Sequence, residues 1–111
     1  MTIAIAADST DPLQIMIERI VQKFDPLKII LFGSRARGEA RVDSDYDLLV
    51  VLSVVEHKRK VAVEIRRALN GVPASKDIVV TTPEEIRIRG DTLGLVLRPA
   101  LREGKVIYER R

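Results

Sequence analysis

The sequence predicts an α/β fold: one domain over residues 1–111, a small mixed sheet of about four strands flanked by helices. Three observations carry this reading. Short, almost wholly apolar runs alternate with longer stretches whose apolar residues recur at helical spacing. Proline and glycine fall mainly at the joins between these segments. No internal repeat, low-complexity tract or linker interrupts a 111-residue chain whose hydrophobic share, 46%, suffices for one core.

The elements follow in order. Asp11 is placed to cap a helix, with Pro12 at its first position and Gln14 placed to complete a capping box. Leu13, Met16, Ile17, Ile20, Val21 and Phe24 recur on one helical face, and Pro26 ends the run. Leu27 to Phe32 is short and apolar, a buried strand. Gly33 and Ser34 then lead into a polar stretch able to form a short helix.

Tyr46 to Leu52 reads as a second strand. His57 to Asn70 reads as a charged helix with Val61, Ile65, Ala68 and Leu69 inward, stopped by Gly71 and Pro73. Lys76 to Thr82 is a third strand. Thr82-Pro83-Glu84-Glu85 has the form of a capping box and starts a short helix. Asp91 to Glu103 reads as a last helix, restricted or kinked by Pro99, with Leu93, Val96 and Leu97 in the core. Lys105 to Glu109 is the final strand. From this order the sheet cannot be read as purely parallel.

Composition narrows the function classes. There are no cysteines, which excludes disulfides and thiolate metal sites. The first residues, MTIAIAADSTD, lack the basic start and long apolar run of a signal peptide. No apolar run approaches the roughly 20 residues that span a bilayer. A soluble, cytoplasmic protein is therefore expected. The net charge of +3 suits a phosphate-bearing ligand. Aromatics are only 4%, so the stacking platform of single-strand nucleic-acid binders is missing, and direct nucleic-acid binding is not expected. Lys58, Arg59, Lys60, Arg66 and Arg67 read equally as a patch for a phosphate-bearing ligand or nucleic acid and as a solvated helix face, and His57 as a surface residue without other ligands near it in sequence.

The stretch LFGSRARGEARVDSDYDLLVV carries the chemistry. Side chains alternate along a strand, so Asp45 and Asp47 leave the same face, roughly 7 Å apart along the backbone. Two like charges at the mouth of an apolar strand repel each other. A hard divalent cation such as Mg²⁺ removes that cost. Gly33 and Ser34, where an apolar strand meets a polar segment, let a ligand approach the backbone closely and offer donors to phosphate oxygens. Arg35 and Arg37 both lie within reach for charge compensation. Asp77 opens the third strand as Asp45 and Asp47 open the second. If the two strands are neighbours, three carboxylates gather beside a phosphate loop, the set that two-metal phosphoryl transfer requires.

Gly33-Ser34, ten intervening residues and Asp45-x-Asp47 together resemble the signature of the polymerase-β-like nucleotidyltransferase superfamily. The wording of the segment is similar to that of the minimal nucleotidyltransferases, antitoxins paired with HEPN-domain toxins. The likeness runs from Leu27 through KDIVVTTPEE to the closing LREGKVIYER. It implies a bare catalytic palm. Gly33 and Ser34 would hold the β- and γ-phosphates of ATP, Asp45 and Asp47 two Mg²⁺ ions, and Asp77 would complete the metal site. The implied reaction moves AMP onto a hydroxyl of the HEPN RNase toxin, a tyrosine for preference, and releases pyrophosphate. The alternative implied by the same resemblance is a non-catalytic antitoxin that neutralises the toxin by stoichiometric binding.

Overall fold

The computed structural model describes residues 11–41, 44–89 and 103–110. Helix α1 is Pro12–Phe24, β1 Lys28–Phe32, β2 Tyr46–Val51, α2 Lys58–Ala68, β3 Lys76–Thr81, α3 Pro83–Arg89 and β4 Lys105–Glu109. The strands form one sheet in the order β3-β2-β1-β4. β1 runs antiparallel to both β2 and β4, while β2 and β3 are parallel. The sheet is mixed because of its connections. A parallel pair needs a long crossover, and α2 supplies it between β2 and β3.

Local chemistry explains the helix ends. Asp11 is extended and its Oδ1 accepts from the Leu13 amide at 3.0 Å, with Pro12 following as the first helical residue. Asp25 closes α1 in the left-handed region at φ 48°, its amide donating to the Val21 carbonyl, before Pro26. Among the described residues Gln14 makes no bond back to the cap, so Asp11 acts without the expected box. At α3 the Thr82 hydroxyl accepts from the Glu85 amide at 3.1 Å. The Glu85 carboxylate turns instead to the Thr81 hydroxyl and to Lys58 of α2. Those bonds satisfy Thr81, which is fully buried, and tie α3 to the α2 side of the sheet.

The alternation of side chains splits the core in two. On one face Ile29, Leu31, Leu48, Val50, Ile78 and Val80 meet Met16, Ile17 and Ile20 of α1 and Ile65 and Leu69 beside α2. Burying each such side chain fully is worth about 1.5–3 kcal/mol, so this face holds most of the stability. The other face carries a smaller cluster, Ile30, Leu49 and Val51, packed with Phe32, Val79 and Ile86 of α3.

The expected short helix after β1 does not form. The segment 34–38 is a run of turns, with Gly33 accepting from the Ala36 and Arg37 amides and Ser34 from the Glu39 amide. Gly38, at φ +75°, prevents helical continuation. The helix expected over 91–103 lies outside the described residues apart from Glu103. Among the described residues no helix is long and apolar enough to cross a membrane.

Candidate active site

The site is built at one end of the sheet, where β1 finishes and β2 and β3 begin. Because β1 and β2 are antiparallel, Phe32 lies opposite Asp47, and the turn at Gly33 abuts the start of β2. Because β2 and β3 are parallel, Asp47 lies directly opposite Asp77. Partners in register share a face, and Asp45 is two residues from Asp47 on that same side. Three carboxylates therefore meet one end of the less covered face. Two of the three, Asp45 and Asp47, lie two residues apart at the mouth of β2 and the third comes from the neighbouring strand, which is why no local pattern could establish the set.

Asp47 is the inner member. It is half-buried, while Asp45 and Asp77 are exposed. Its carboxyl is held above the ordinary value of 3.8, first by burial, then by the charges of Asp77 and Asp45, with Arg37 pulling it partly back. Gly33 is required beside it. The glycine adopts φ +76°, and a Cβ there would collide with Asp47 Oδ2 and come within 3.1 Å of its Cγ. The backbone is thus brought against the carboxylate with nothing between. Neither the Ser34 amide nor its hydroxyl donates to an acceptor among the described residues, leaving two donors at the mouth of the turn.

The two candidate arginines go to different places. Arg37 lies on the carboxylate side, close enough to act on Asp47, and is held by Glu39 at 2.8 Å and Glu103 at 3.5 Å. Arg35 goes to the opposite face. Its guanidinium stacks on the Tyr46 ring, 3.8 Å from the centroid, and donates to the Ser44 carbonyl from Nε and Nη2 at 3.1 and 2.9 Å. Tyr46 alternates with Asp47, so a group stacked on it lies behind the carboxylates. Arg35 ties the start of the 34–45 loop to its end and so fixes the distance between Gly33 and Asp45. Sequence spacing alone gave the two arginines the same reach.

One residue at the site was missed. Arg66 of α2 places Nη2 3.4 Å from Asp77 Oδ1. The contact joins the crossover helix to the edge strand it leads into, and no pattern within either segment signals it.

Hard carboxylate oxygen is the donor chemistry that Mg²⁺ prefers. The mutual repulsion at Asp47 is what a cation would relieve, and the two unused donors of Ser34 suit a phosphate. The residues present fit a metal-bound triphosphate. Among the described residues no three side chains already converge as a closed metal cage. One oxygen of Asp77 is engaged by Arg66 at 3.4 Å. Among the described residues a cavity of about 590 Å³, lined by Arg35, Ser44 and Tyr46 among others, lies on the Tyr46 side of the β2 mouth. Another of about 350 Å³, lined by Ser53, Val54 and Ile88 among others, is at the far end of β2.

Comparison with known proteins gives a family and a fold. The sequence pattern of the nucleotidyltransferase domain matches residues 13–94. No curated protein matches the chain. Among solved structures, the chain resembles a candidate nucleotidyltransferase from Sulfolobus solfataricus with a TM-score of 0.65 at 21% identity, over 91% of this chain and 80% of that one. It also resembles a toxin-antitoxin structure containing AMP-PNP, with a TM-score of 0.56 at 20% identity, over 86% of this chain and 73% of the other. At these identities the two structures establish the shared fold.

Proposed function

The chain belongs to the nucleotidyltransferase domain family, and from that premise we propose that it is an antitoxin-type enzyme that transfers AMP from ATP to a hydroxyl of a HEPN RNase toxin, preferably a tyrosine. One observation carries the reading. Asp47 faces Asp77 across a parallel register, with Asp45 on the same side and the Gly33 backbone pressed against the Asp47 carboxylate. The likeness to a toxin-antitoxin structure with AMP-PNP supports both the nucleotide and the type of partner.

Each residue has a definite task. The free donors of Ser34 and the exposed backbone of Gly33 bind the β- and γ-phosphates, and only glycine permits that approach. Arg37 compensates the charge of the triphosphate from the carboxylate side. Asp45 and Asp47 hold two Mg²⁺ ions, and Asp77 completes the set. Bound there, the metals supply Lewis-acid stabilisation of the acceptor oxygen and of the leaving pyrophosphate. The acceptor oxygen forms a bond to the α-phosphorus as the α–β bridging bond breaks. Asp77, exposed at the start of β3, takes the hydroxyl proton. Arg35 acts one step back by closing the loop that sets the spacing of Gly33 and Asp45. In this reading the partner protein provides part of the pocket for base and acceptor.

The test is to incubate the chain and its partner toxin with α-labelled ATP and Mg²⁺. Label on the toxin, lost in Asp45→Asn with Asp47→Asn, is expected. Neutralisation of the toxin that survives the double substitution without any label would instead favour blocking by stoichiometric binding.

A further inference from the structure

The cation nearest the third carboxylate is not one of the loop arginines. It is Arg66, on the crossover helix, with its Nη2 3.4 Å from Asp77 Oδ1. We propose that Arg66 is a positioning residue that holds Asp77 away from the metal site until a divalent cation displaces it, so that it sets the threshold for metal loading. The inference rests on the reading of Asp45, Asp47 and Asp77 as metal-binding groups.

Three observations support it. The register brings Asp77 opposite Asp47 on a shared face, yet among the described residues no three carboxylates close on one point. The Asp77 charge already acts on Asp47, and the Arg66 contact engages Asp77 Oδ1, an oxygen that a cation shared with Asp47 would need. The alternative partners of Arg66 are few. Its neighbour Arg67 is a like charge, and the acid on the same helix, Glu64, forms no ion pair with it. Lys58, the other paired cation of α2, is taken by Glu85. Asp77 is therefore the sole carboxylate that Arg66 engages among the described residues.

The strength of the contact suits a threshold rather than a lock. Both side chains are more than half exposed, at 56% and 57%. Exposed pairs of this kind are worth a few tenths of a kcal/mol to about 1 kcal/mol, which is about a two- to fivefold change in an equilibrium constant. A cation held by two or three carboxylates outcompetes such a pair readily. Arg66 would then lower the affinity for metal without preventing occupancy, and the guanidinium would be released as the site fills.

Manganese titration followed by electron paramagnetic resonance tests this on the full chain without nucleotide or partner. Arg66→Gln is expected to bind Mn²⁺ about two- to fivefold more tightly than the wild type at low salt. Arg66→Lys, which keeps the charge, should stay near the wild type. The gain from Arg66→Gln should shrink at about 1 M salt and should vanish in an Asp77→Asn background. Unchanged or weaker binding in Arg66→Gln overturns the proposal, as does a full gain that persists without Asp77. The metal reading fails separately, and takes this inference with it, if Asp47→Asn leaves Mn²⁺ binding untouched. Binding that Asp47→Asn abolishes and Arg66→Gln does not alter would sink the Arg66 role alone.

Discussion

The two ends of β2 are built on opposite principles. From Leu48 to Val51 every side chain is buried, alternating between the α1–α2 core and the smaller cluster under α3. At Asp47, one residue earlier, the strand carries a carboxylate that is half-buried, repelled by two other carboxylates and wedged against a glycine backbone. The apolar end supplies folding energy. The acidic end costs some of it, and the sequence retains it in a place where nothing structural requires a charge. The contrast within a single strand is the clearest sign that this end has a chemical task, since a strand mouth with no such task accepts a neutral polar residue at no penalty.

Substitutions separate the two ends. The largest effect is expected at the acidic one. Asp47→Asn or Asp45→Asn should lower AMP transfer by about a thousandfold or more, the rate equivalent of the several kcal/mol that metal charge stabilisation supplies. Circular dichroism should show an unchanged fold. Leu48→Ala, one residue along, should do the reverse. It empties part of the main core and should cost about 2–5 kcal/mol in urea unfolding, while activity per folded molecule persists. If the two substitutions behaved alike, the division between the ends would be false.

Gly33→Ala should fall between these. The positive φ and the collision with Asp47 together should cost about 1–3 kcal/mol of stability, and the displaced carboxylate should raise the KM for ATP. The smallest effect has an unusual sign. Asp47 holds its proton more tightly folded than unfolded, so at neutral pH its ionised form opposes folding. With chelator present, Asp47→Asn should be slightly more stable than the wild type at pH 7. The gap should narrow as pH falls through the raised value of Asp47 toward the ordinary 3.8, because protonation relieves the wild type. Equal stability at all pH values would mean that the carboxylates do not repel.

Much of this was legible in the residues. Helical spacing and proline placement located α1, α2 and α3, and apolar runs located the four strands, because in each case one face buries and the pattern records it. Gly33, Ser34, Asp45 and Asp47 were readable because one strand, one loop and the next strand hold them at fixed separation. Asp77 was reachable only through the condition that β3 neighbours β2, which the α2 crossover satisfies. The remainder depended on tertiary direction. Arg35 and Arg37 are two residues apart in a run of turns, where spacing does not decide which face a long side chain takes. Stacking on Tyr46 decided it for Arg35. The short helix after Ser34 failed because Gly38 occupies a left-handed conformation there. Arg66 belonged to a stretch that reads equally as a ligand patch and as a solvated face, and its contact with Asp77 spans two elements.

The central claim is that the carboxylates at the mouths of β2 and β3 hold divalent metal beside a turn that receives a triphosphate. Anomalous diffraction from crystals of the chain grown with Mn²⁺ and a non-hydrolysable ATP analogue tests it most directly. The account predicts manganese peaks between Asp45 and Asp47, one of them also reached by Asp77, with the terminal phosphates against Gly33 and Ser34. Manganese bound elsewhere, or a triphosphate lying away from the Gly33 turn, would contradict it.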